Sequence, residues 1–180
     1  MKPNSEKREL MQAAAETLRQ GETMLAEISD EIYTRRVPVA FGASIGGHYR
    51  HCLDHFRALL NAAAAGDLNY DQRERGTLVE QDCFAALNAT RDLRDAYEKL
   101  DPIFLVRPLA VTCKISYSTS GSQTSPSTIG REVMYVVAHA VHHYALIRVI
   151  GGIMGYEFPP GFGVAPSTLK HVAESANTAV

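Results

Sequence analysis

The sequence predicts an all-α protein, a four-helix bundle that forms a single domain over residues 1–180. Three observations lead to this prediction. Four long segments repeat apolar side chains at helical spacing, and no internal repeat or low-complexity block interrupts them. The chain has 180 residues, of which 46% are hydrophobic and 21% are charged. Those values are typical of one globular domain with its own core.

The first two helices are predicted over residues 5–30 and 44–66. Ser5 and Ser44 are short polar residues of the kind that cap a helix N-terminus. Gly46 weakens the first turn of the second helix, by about 1 kcal/mol relative to Ala. The apolar face of that helix repeats at intervals of three and four residues, through Ile45, Tyr49, Leu53, Phe56 and Leu60.

The third helix is predicted to begin at residues 77–80, where the sequence Thr-Leu-Val-Glu fits a capping box. It ends before Pro102, because the residue that precedes a proline disfavours helical geometry. The fourth helix begins at Ser127 or Thr128, which are both capping residues. It ends among the glycines of residues 151–155.

A long crossover joins the third and fourth helices, which argues against a simple series of helical hairpins. Residues 103–117 are rich in β-branched and aromatic side chains, and predict an extended connection or a short β-hairpin. Residues 116–127 are rich in Ser, Thr, Gly and Pro, and predict a loop. From about residue 156 we expect an irregular C-terminal arm that lies over the bundle.

Charge and composition exclude several classes of function. The net charge of −2 leaves no basic surplus to neutralise phosphates, so we expect no nucleic-acid partner. Residues 133–150 are strongly apolar, but three histidines and Arg148 interrupt them, so we expect a core helix and no membrane partner. Three cysteines without a CxxC pair and the lack of an apolar leader predict a cytoplasmic protein with free thiols. These cysteines are Cys52, Cys83 and Cys113.

Six of the seven histidines lie in two groups, one of them in the fourth predicted helix. His139 and His143 are four residues apart, so their side chains project from one face of that helix, one turn apart. The neighbouring residues on this face are apolar, which indicates that the pair points into the bundle. Because buried imidazoles need polar partners, the pair is either hydrogen-bonded in the core or bound to one divalent cation.

The second group, His48, His51 and His55, lies beside the apolar face of the second helix. At helical spacing all three fall within an arc of about 60°, from which side chains can reach a neighbouring helix. Any one of them can complete a three-histidine site with a position left open for water or substrate. The spacing alone does not select among the three.

Three carboxylates are candidates for supporting roles. Asp54 follows His51 by three residues, and either accepts an imidazole N–H or is an exposed helix carboxylate. Glu132 precedes His139 by seven residues, on the same face two turns away. That is too far for a direct ligand but suits a supporting or substrate-binding role. Glu80 and Glu132 are the best candidates for general acid–base chemistry.

Three further polar residues have open interpretations. His142 is turned about 100° from His143, toward a hydrogen-bond partner or the rim of the site. Arg73 and Arg75 precede the third helix. They either hold an anionic substrate at the mouth of the bundle or belong to a solvated loop.

Most of the chain, residues 5–155, resembles the DinB-like superfamily, which includes the YfiT-type metal-dependent hydrolases. Residues 138–147 (Ala-His-Ala-Val-His-His-Tyr-Ala-Leu-Ile) look like the HxxxH signature of that family, with an extra histidine before the last ligand. Residues 44–54 look like its segment with a histidine about seven residues into the helix and an aspartate three residues later. The metal ligands that this resemblance implies are His51, His139 and His143.

The resemblance also implies a bound Zn²⁺ or Ni²⁺, a homodimer and a small-molecule substrate, in some relatives a thiol. We therefore expect a metal-dependent hydrolase or a thiol-dependent transferase. The alternatives are a non-catalytic metal-binding, ligand-binding or dimerisation module, and a metal-free bundle. The chain departs from the family pattern at Ala43, where Trp is frequent, and at residues 144–146, where Tyr-Ala-Leu replaces Arg-Gly-Gln. A relative's substrate therefore does not transfer to this chain.

Overall fold

The four long apolar segments of the sequence fold as helices in the computed structural model, which describes residues 3–72 and 76–178. Those residues form six helices and one three-stranded sheet. The helices are α1 (Pro3–Glu27), α2 (Asp30–Thr34), α3 (Ile45–Ala65), α4 (Cys83–Lys99), α5 (Ile129–Ile153) and α6 (Pro166–Thr178). The strands are β1 (Asp67–Asn69), β2 (Pro108–Cys113) and β3 (Gln123–Thr128). The protein is therefore mostly helical, and the all-α prediction is corrected by this small sheet.

The core lies between the four long helices. α1 packs against α4 and α5, and α3 packs against the same two helices. Their facing sides bury a continuous apolar cluster that includes Leu18, Leu53, Phe56 and Ile147. The long axes of α3 and α5 therefore run beside each other, which is what brings their histidines together.

Helix α3 begins where its sequence predicts. Ser44 adopts extended backbone geometry, and its Oγ accepts a hydrogen bond from the Gly47 amide at 3.1 Å. Gly66 ends the helix in the left-handed region, with φ of 85°. α5 begins in the same way, because the Thr128 side chain accepts from the Arg131 amide.

Two predicted helix starts are wrong. α1 already begins at Pro3, before the predicted start at Ser5. α4 begins at Cys83 and not at Thr77, after a short 3₁₀ turn over Leu78–Glu80. α4 is capped by the carboxylate of Asp82, the residue just before it, and by the carboxylate of Asp30 in α2.

The sheet occupies the predicted crossover but extends beyond it. β2 falls within residues 103–117, and it pairs antiparallel with β3, from Pro108 opposite Thr128 to Cys113 opposite Gln123. β1 pairs parallel with β2 on the other side. The prediction that residues 116–127 form only a loop is wrong for β3. As an edge strand with mostly exposed side chains, β3 lacks the apolar alternation that identifies a half-buried strand.

The C-terminal arm is irregular only in its first half. Residues 155–165 cross the bundle without regular structure, and Phe162 is buried there, stacked on Tyr144 with ring centroids 4.7 Å apart. The chain then forms α6, so the prediction of an irregular arm to the end of the chain is wrong. The prolines and glycines of the arm lie at or before Pro166, and a proline is well tolerated at a helix start.

Among the described residues, α5 is the helix that is long and apolar enough to cross a membrane by length and composition. A third of its most apolar window is buried inside the fold. The buried side of α5 packs on α1 and α3 and carries Val133, Val136 and Ile147. The expected lack of a membrane partner stays a prediction.

Candidate metal centre

The candidate site lies where α3 and α5 pack against each other. Close packing of the backbone at Glu80 on the first turn of α3 helps to shape this region. A Cβ atom on Gly46 would lie 2.2 Å from the Glu80 carbonyl oxygen, so only glycine fits there. Gly46, which weakens the helix by local propensity, thus lets the segment that carries Glu80 pack on the first turn of α3.

Three imidazoles converge at this place. The Nε2 atoms of His51 and His139 are 3.1 Å apart. The ring of His143 completes the group, with its centroid 4.7 Å from that of His51 and 4.5 Å from that of His139. One ring nitrogen from each of the three residues lies within 4.8 Å of the others.

The donor set fits a divalent cation. Two nitrogen ligands at the usual zinc distance of about 2.05 Å, in tetrahedral geometry, are separated by about 3.3 Å. The distance of 3.1 Å between His51 and His139 is close to that value. Imidazole nitrogens suit zinc, nickel, copper and iron, so the ligand type does not select one metal. All three rings are half-buried.

The environment of His143 keeps its ring neutral. Burial, followed by the neighbouring imidazoles of His139 and His48, lowers the pKa of His143 to about 3. Burial and His142 also lower the pKa of His48. Neutral imidazole is the form that binds a metal, so no proton has to be displaced from these rings near neutral pH.

His48 and His55 lie on either side of His51 along α3 and have different surroundings. The Nδ1 atom of His48 is 2.8 Å from Nδ1 of His143. His55 is buried, with its Nδ1 3.0 Å from the His51 carbonyl oxygen. The His55 ring stacks on Tyr70 and lies 4.2 Å, centroid to centroid, from the ring of His139.

Glu132 is a buried carboxylate next to the cluster. It accepts hydrogen bonds from the Tyr70 hydroxyl at 2.8 Å, the Ser127 hydroxyl at 2.7 Å and the Arg131 guanidinium at 2.8 Å. Its predicted role, in supporting the site or binding a substrate, stays a prediction. Glu132 holds Tyr70, which in turn packs on His55.

Asp54 and Glu80 are both paired with the same positively charged side chain. Arg50, one position before His51, forms ion pairs with both carboxylates, and its Nε lies 3.0 Å from Oε2 of Glu80. Both pairs are largely shielded from solvent. Glu80 is thus held near the histidines by Arg50. Whether Asp54 also supports an imidazole stays a prediction.

His142 is exposed, and its ring lies 5.5 Å from that of His143, at the rim of the cluster. Arg73 and Arg75 lie outside the described residues. Cys52 and Cys83 are buried free thiols, as expected, whereas Cys113 is half-exposed.

Two separate cavities border the histidine cluster. The first has a volume of about 600 Å³ and is lined by His48, His51 and His143 together with Arg50 and Glu80. The second has a volume of about 450 Å³. Its wall carries His51, His55 and His139 with Tyr70, Tyr135 and Cys113. His51 lines both cavities, so each of them reaches the same three-histidine group.

Sequence reasoning did not identify Arg50, Tyr70 and Tyr135 as part of this site. Arg50 had a usable signal, because it lies four residues before Asp54 on the same helix face and next to His51. Tyr70 and Tyr135 had no usable signal. Tyr70 follows a short strand, and Tyr135 has the pattern of an ordinary core residue of α5. Their rings lie 5.1 Å apart in the wall of the second cavity.

Comparison with known proteins agrees with this fold. The model of the DinB family matches residues 1–174. A DinB-like protein, YjoA, from Bacillus subtilis has a similar structure, with a TM-score of 0.59 and 18% sequence identity. The similarity covers 84% of this chain and 96% of that protein, and at this identity it shows the fold alone.

A curated relative covers a smaller part of the chain. FK506-binding protein 5 of Rhizopus delemar is 39% identical over 105 residues, which is 58% of this chain. The match spans only 27% of that protein. The activity of the whole Rhizopus protein therefore says little about this chain.

Proposed function

The chain belongs to the DinB family, and we propose that it is an enzyme that uses a divalent cation held by His51, His139 and His143. The convergence of these three imidazoles beside two cavities is the observation that carries the proposal. A site built only to stabilise a fold is normally closed by a fourth protein ligand, whereas a catalytic site keeps one position open.

A bound divalent cation supplies Lewis-acid chemistry here, because it polarises a carbonyl group or makes a thiol or water more acidic. The side chains around it have separate tasks. Arg50 holds Glu80 in the wall of the first cavity, where this carboxylate is our candidate to accept a proton from a substrate. Tyr70 and Tyr135 present flat apolar surfaces in the second cavity, where the body of a small organic substrate can lie.

We favour thiol-dependent group transfer over hydrolysis. A hydrolase needs room for one substrate and a water, but a transferase has to bring two reactants to the same centre. Cavities of about 600 and 450 Å³ that share His51 provide two such routes. The thiol itself is inferred from the family resemblance. A homodimer and a cytoplasmic location remain part of this proposal as predictions.

The first experiment measures metal binding. The protein purified without chelator is analysed for zinc and nickel, then titrated with each ion in competition with a chromophoric chelator. One equivalent of tightly bound ion supports the proposal. If the protein contains no metal above background and gains none on titration, the proposal is wrong.

The second experiment tests the reaction class on protein loaded with Co²⁺, whose absorption spectrum reports the ligands. Addition of a low-molecular-weight thiol is expected to add a sulfur-to-cobalt charge-transfer band. H139A is the control, and should show no such band. If no added thiol, water analogue or anion changes the cobalt spectrum, the metal has no open coordination position and the site is closed.

A closed site would support the second candidate function, a non-catalytic metal- or ligand-binding module. One observation favours this alternative. His48 brings a fourth imidazole to within 2.8 Å of His143, and four histidines can fill the coordination of zinc. The role of His48 therefore bears directly on the choice between the two functions.

A further inference from the structure

The contact between His48 and His143 joins two ring nitrogens of the same kind. Their Nδ1 atoms are 2.8 Å apart, and the two rings are tilted by 42° with centroids 5.1 Å apart. A nitrogen–nitrogen distance this short is a hydrogen bond, so one Nδ1 carries a hydrogen and the other offers its lone pair.

The direction of this hydrogen bond determines what His143 can do. If His143 donates from Nδ1, its Nε2 has a free lone pair and can bind a cation. If His48 donates instead, a neutral His143 carries its hydrogen on Nε2 and cannot be a ligand through that atom. In known metal sites, the ring nitrogen that does not bind the metal usually donates to a nearby acceptor.

The other two histidines of the site indicate which direction applies. His51 and His139 face each other through Nε2, so a cation between them meets the Nε2 side of both rings. Nδ1 of His143 is engaged by His48, so Nε2 is the nitrogen left for the cation, and it has a lone pair only if Nδ1 carries the hydrogen. We propose that His48 is a positioning residue that accepts this hydrogen and leaves Nε2 of His143 free for the metal. The inference rests on the proposed function, since it assumes that His143 is a ligand.

This assignment keeps the metal site open. The Nδ1 lone pair of His48 accepts the hydrogen bond from His143 and is therefore not a ligand of the cation. The protein then supplies three ligands. His48 also lines the first cavity. His143, the ligand that it orients, lines the same cavity.

The experiment combines a spectroscopic and a thermodynamic measurement on the full chain. Long-range proton–nitrogen correlation spectra of the ¹⁵N-labelled wild-type protein, before and after Zn²⁺ is added, report which nitrogen of each histidine carries hydrogen. We expect His143 to be protonated at Nδ1 in both spectra. Zn²⁺ affinity is then measured by chelator competition for wild type, H48A, H48N and H142A.

H48A should bind Zn²⁺ about 10- to 100-fold more weakly, as is usual when a supporting partner of a metal ligand is lost. H48N should recover most of the affinity, because the Asn side-chain oxygen can accept in place of Nδ1. H142A removes an exposed neighbouring histidine and should bind like wild type. Far-UV circular dichroism checks that each variant folds, and the wild-type spectra test the proposal without any variant.

Three results would overturn the inference. The first is a hydrogen on Nε2 of His143. The second is an unchanged affinity in H48A. The third is a loss in both H48A and H48N as large as in H139A, because His48 would then be a fourth ligand. A wild-type protein that binds no Zn²⁺ overturns the proposed function as well, whereas in the three results above the wild-type protein still binds Zn²⁺ and only the role assigned to His48 fails.

Discussion

Two neighbouring sets of aromatic polar side chains, centred on α3 and α5, differ in how their polar atoms find partners. The tyrosine layer consists of Tyr49 on α3, Tyr97 on α4 and Tyr144 on α5, which are fully buried. The Tyr49 hydroxyl is 2.9 Å from Oγ1 of Thr90, and the hydroxyls of Tyr97 and Tyr144 donate to backbone carbonyl oxygens at 3.0 and 3.2 Å. This layer is satisfied by the protein alone.

The histidine cluster consists of His48, His51, His55, His139 and His143. It begins one residue away from the tyrosine layer on each helix, since His48 precedes Tyr49 and His143 precedes Tyr144. Here ring nitrogens face other ring nitrogens, at 2.8 and 3.1 Å. Lone pairs that converge need a proton or a cation between them. The tyrosine layer therefore pairs its polar groups within the fold, whereas three members of the histidine cluster lie close enough together to hold a cation.

The same desolvation acts on both sets with opposite signs. Burial raises the pKa of Tyr49 and Tyr144, and burial lowers the pKa of His143 to about 3. In each case the charged form is disfavoured. Tyr49, Tyr144 and His143 are therefore neutral near neutral pH, and what distinguishes the two sets is their hydrogen-bond partners.

The largest expected effect comes from breaking the histidine cluster. His139→Ala should weaken Zn²⁺ binding by at least about 100-fold, more than the loss of a supporting residue causes, because it removes a direct ligand. The metal-free protein should keep its fold. Chelator competition and circular dichroism measure the two properties. Wild-type affinity in H139A would show that the cluster does not bind through this residue.

The next largest effect is expected on the stability of the wild-type protein when it binds metal. At a free Zn²⁺ concentration of 100 times Kd, binding should raise the free energy of unfolding by about 2.7 kcal/mol. Thermal unfolding with and without the ion measures this increase as a higher Tm. H139A should show no increase at the same concentration, and an equal increase in both proteins would point to binding elsewhere.

A smaller effect is expected from the tyrosine layer. Tyr49→Phe removes the hydroxyl that pairs with Thr90, and should lower the free energy of unfolding by about 1 kcal/mol. Zn²⁺ affinity should not change. Urea unfolding measures the loss, with the exposed Tyr117→Phe as the matched control. If Y49F altered metal affinity as much as stability, the two sets would not be separable.

The smallest effect is expected at the rim of the cluster. His142→Ala removes an exposed imidazole, so its free energy of unfolding should stay within about 0.5 kcal/mol of wild type. Its Zn²⁺ affinity should match that of wild type in the same chelator assay. A tenfold loss would make His142 part of the binding site.

Much of the fold follows from local rules. The helical period places His139 and His143 on one face, and short polar residues begin α3 and α5 at Ser44 and Thr128. The start of α4 has a local cap as well, because the Asp82 carboxylate accepts from the Ala85 amide at 2.6 Å, but it also uses a cap that local rules do not give. The Cys83 amide donates at 2.8 Å to Asp30, a residue of α2 that lies far away in the sequence. No pattern within the helix itself could identify that cap.

The sequence was enough for the family, the four long helices and the two histidine groups, because helix periodicity and capping depend on residues a few positions apart. It left open which histidine of α3 meets the pair on α5, and did not indicate that His48 contacts His143 or that Tyr70 contacts Glu132. Those contacts depend on how far one helix is shifted along another. Packing of the whole core sets that shift, through close approaches such as the one at Gly46.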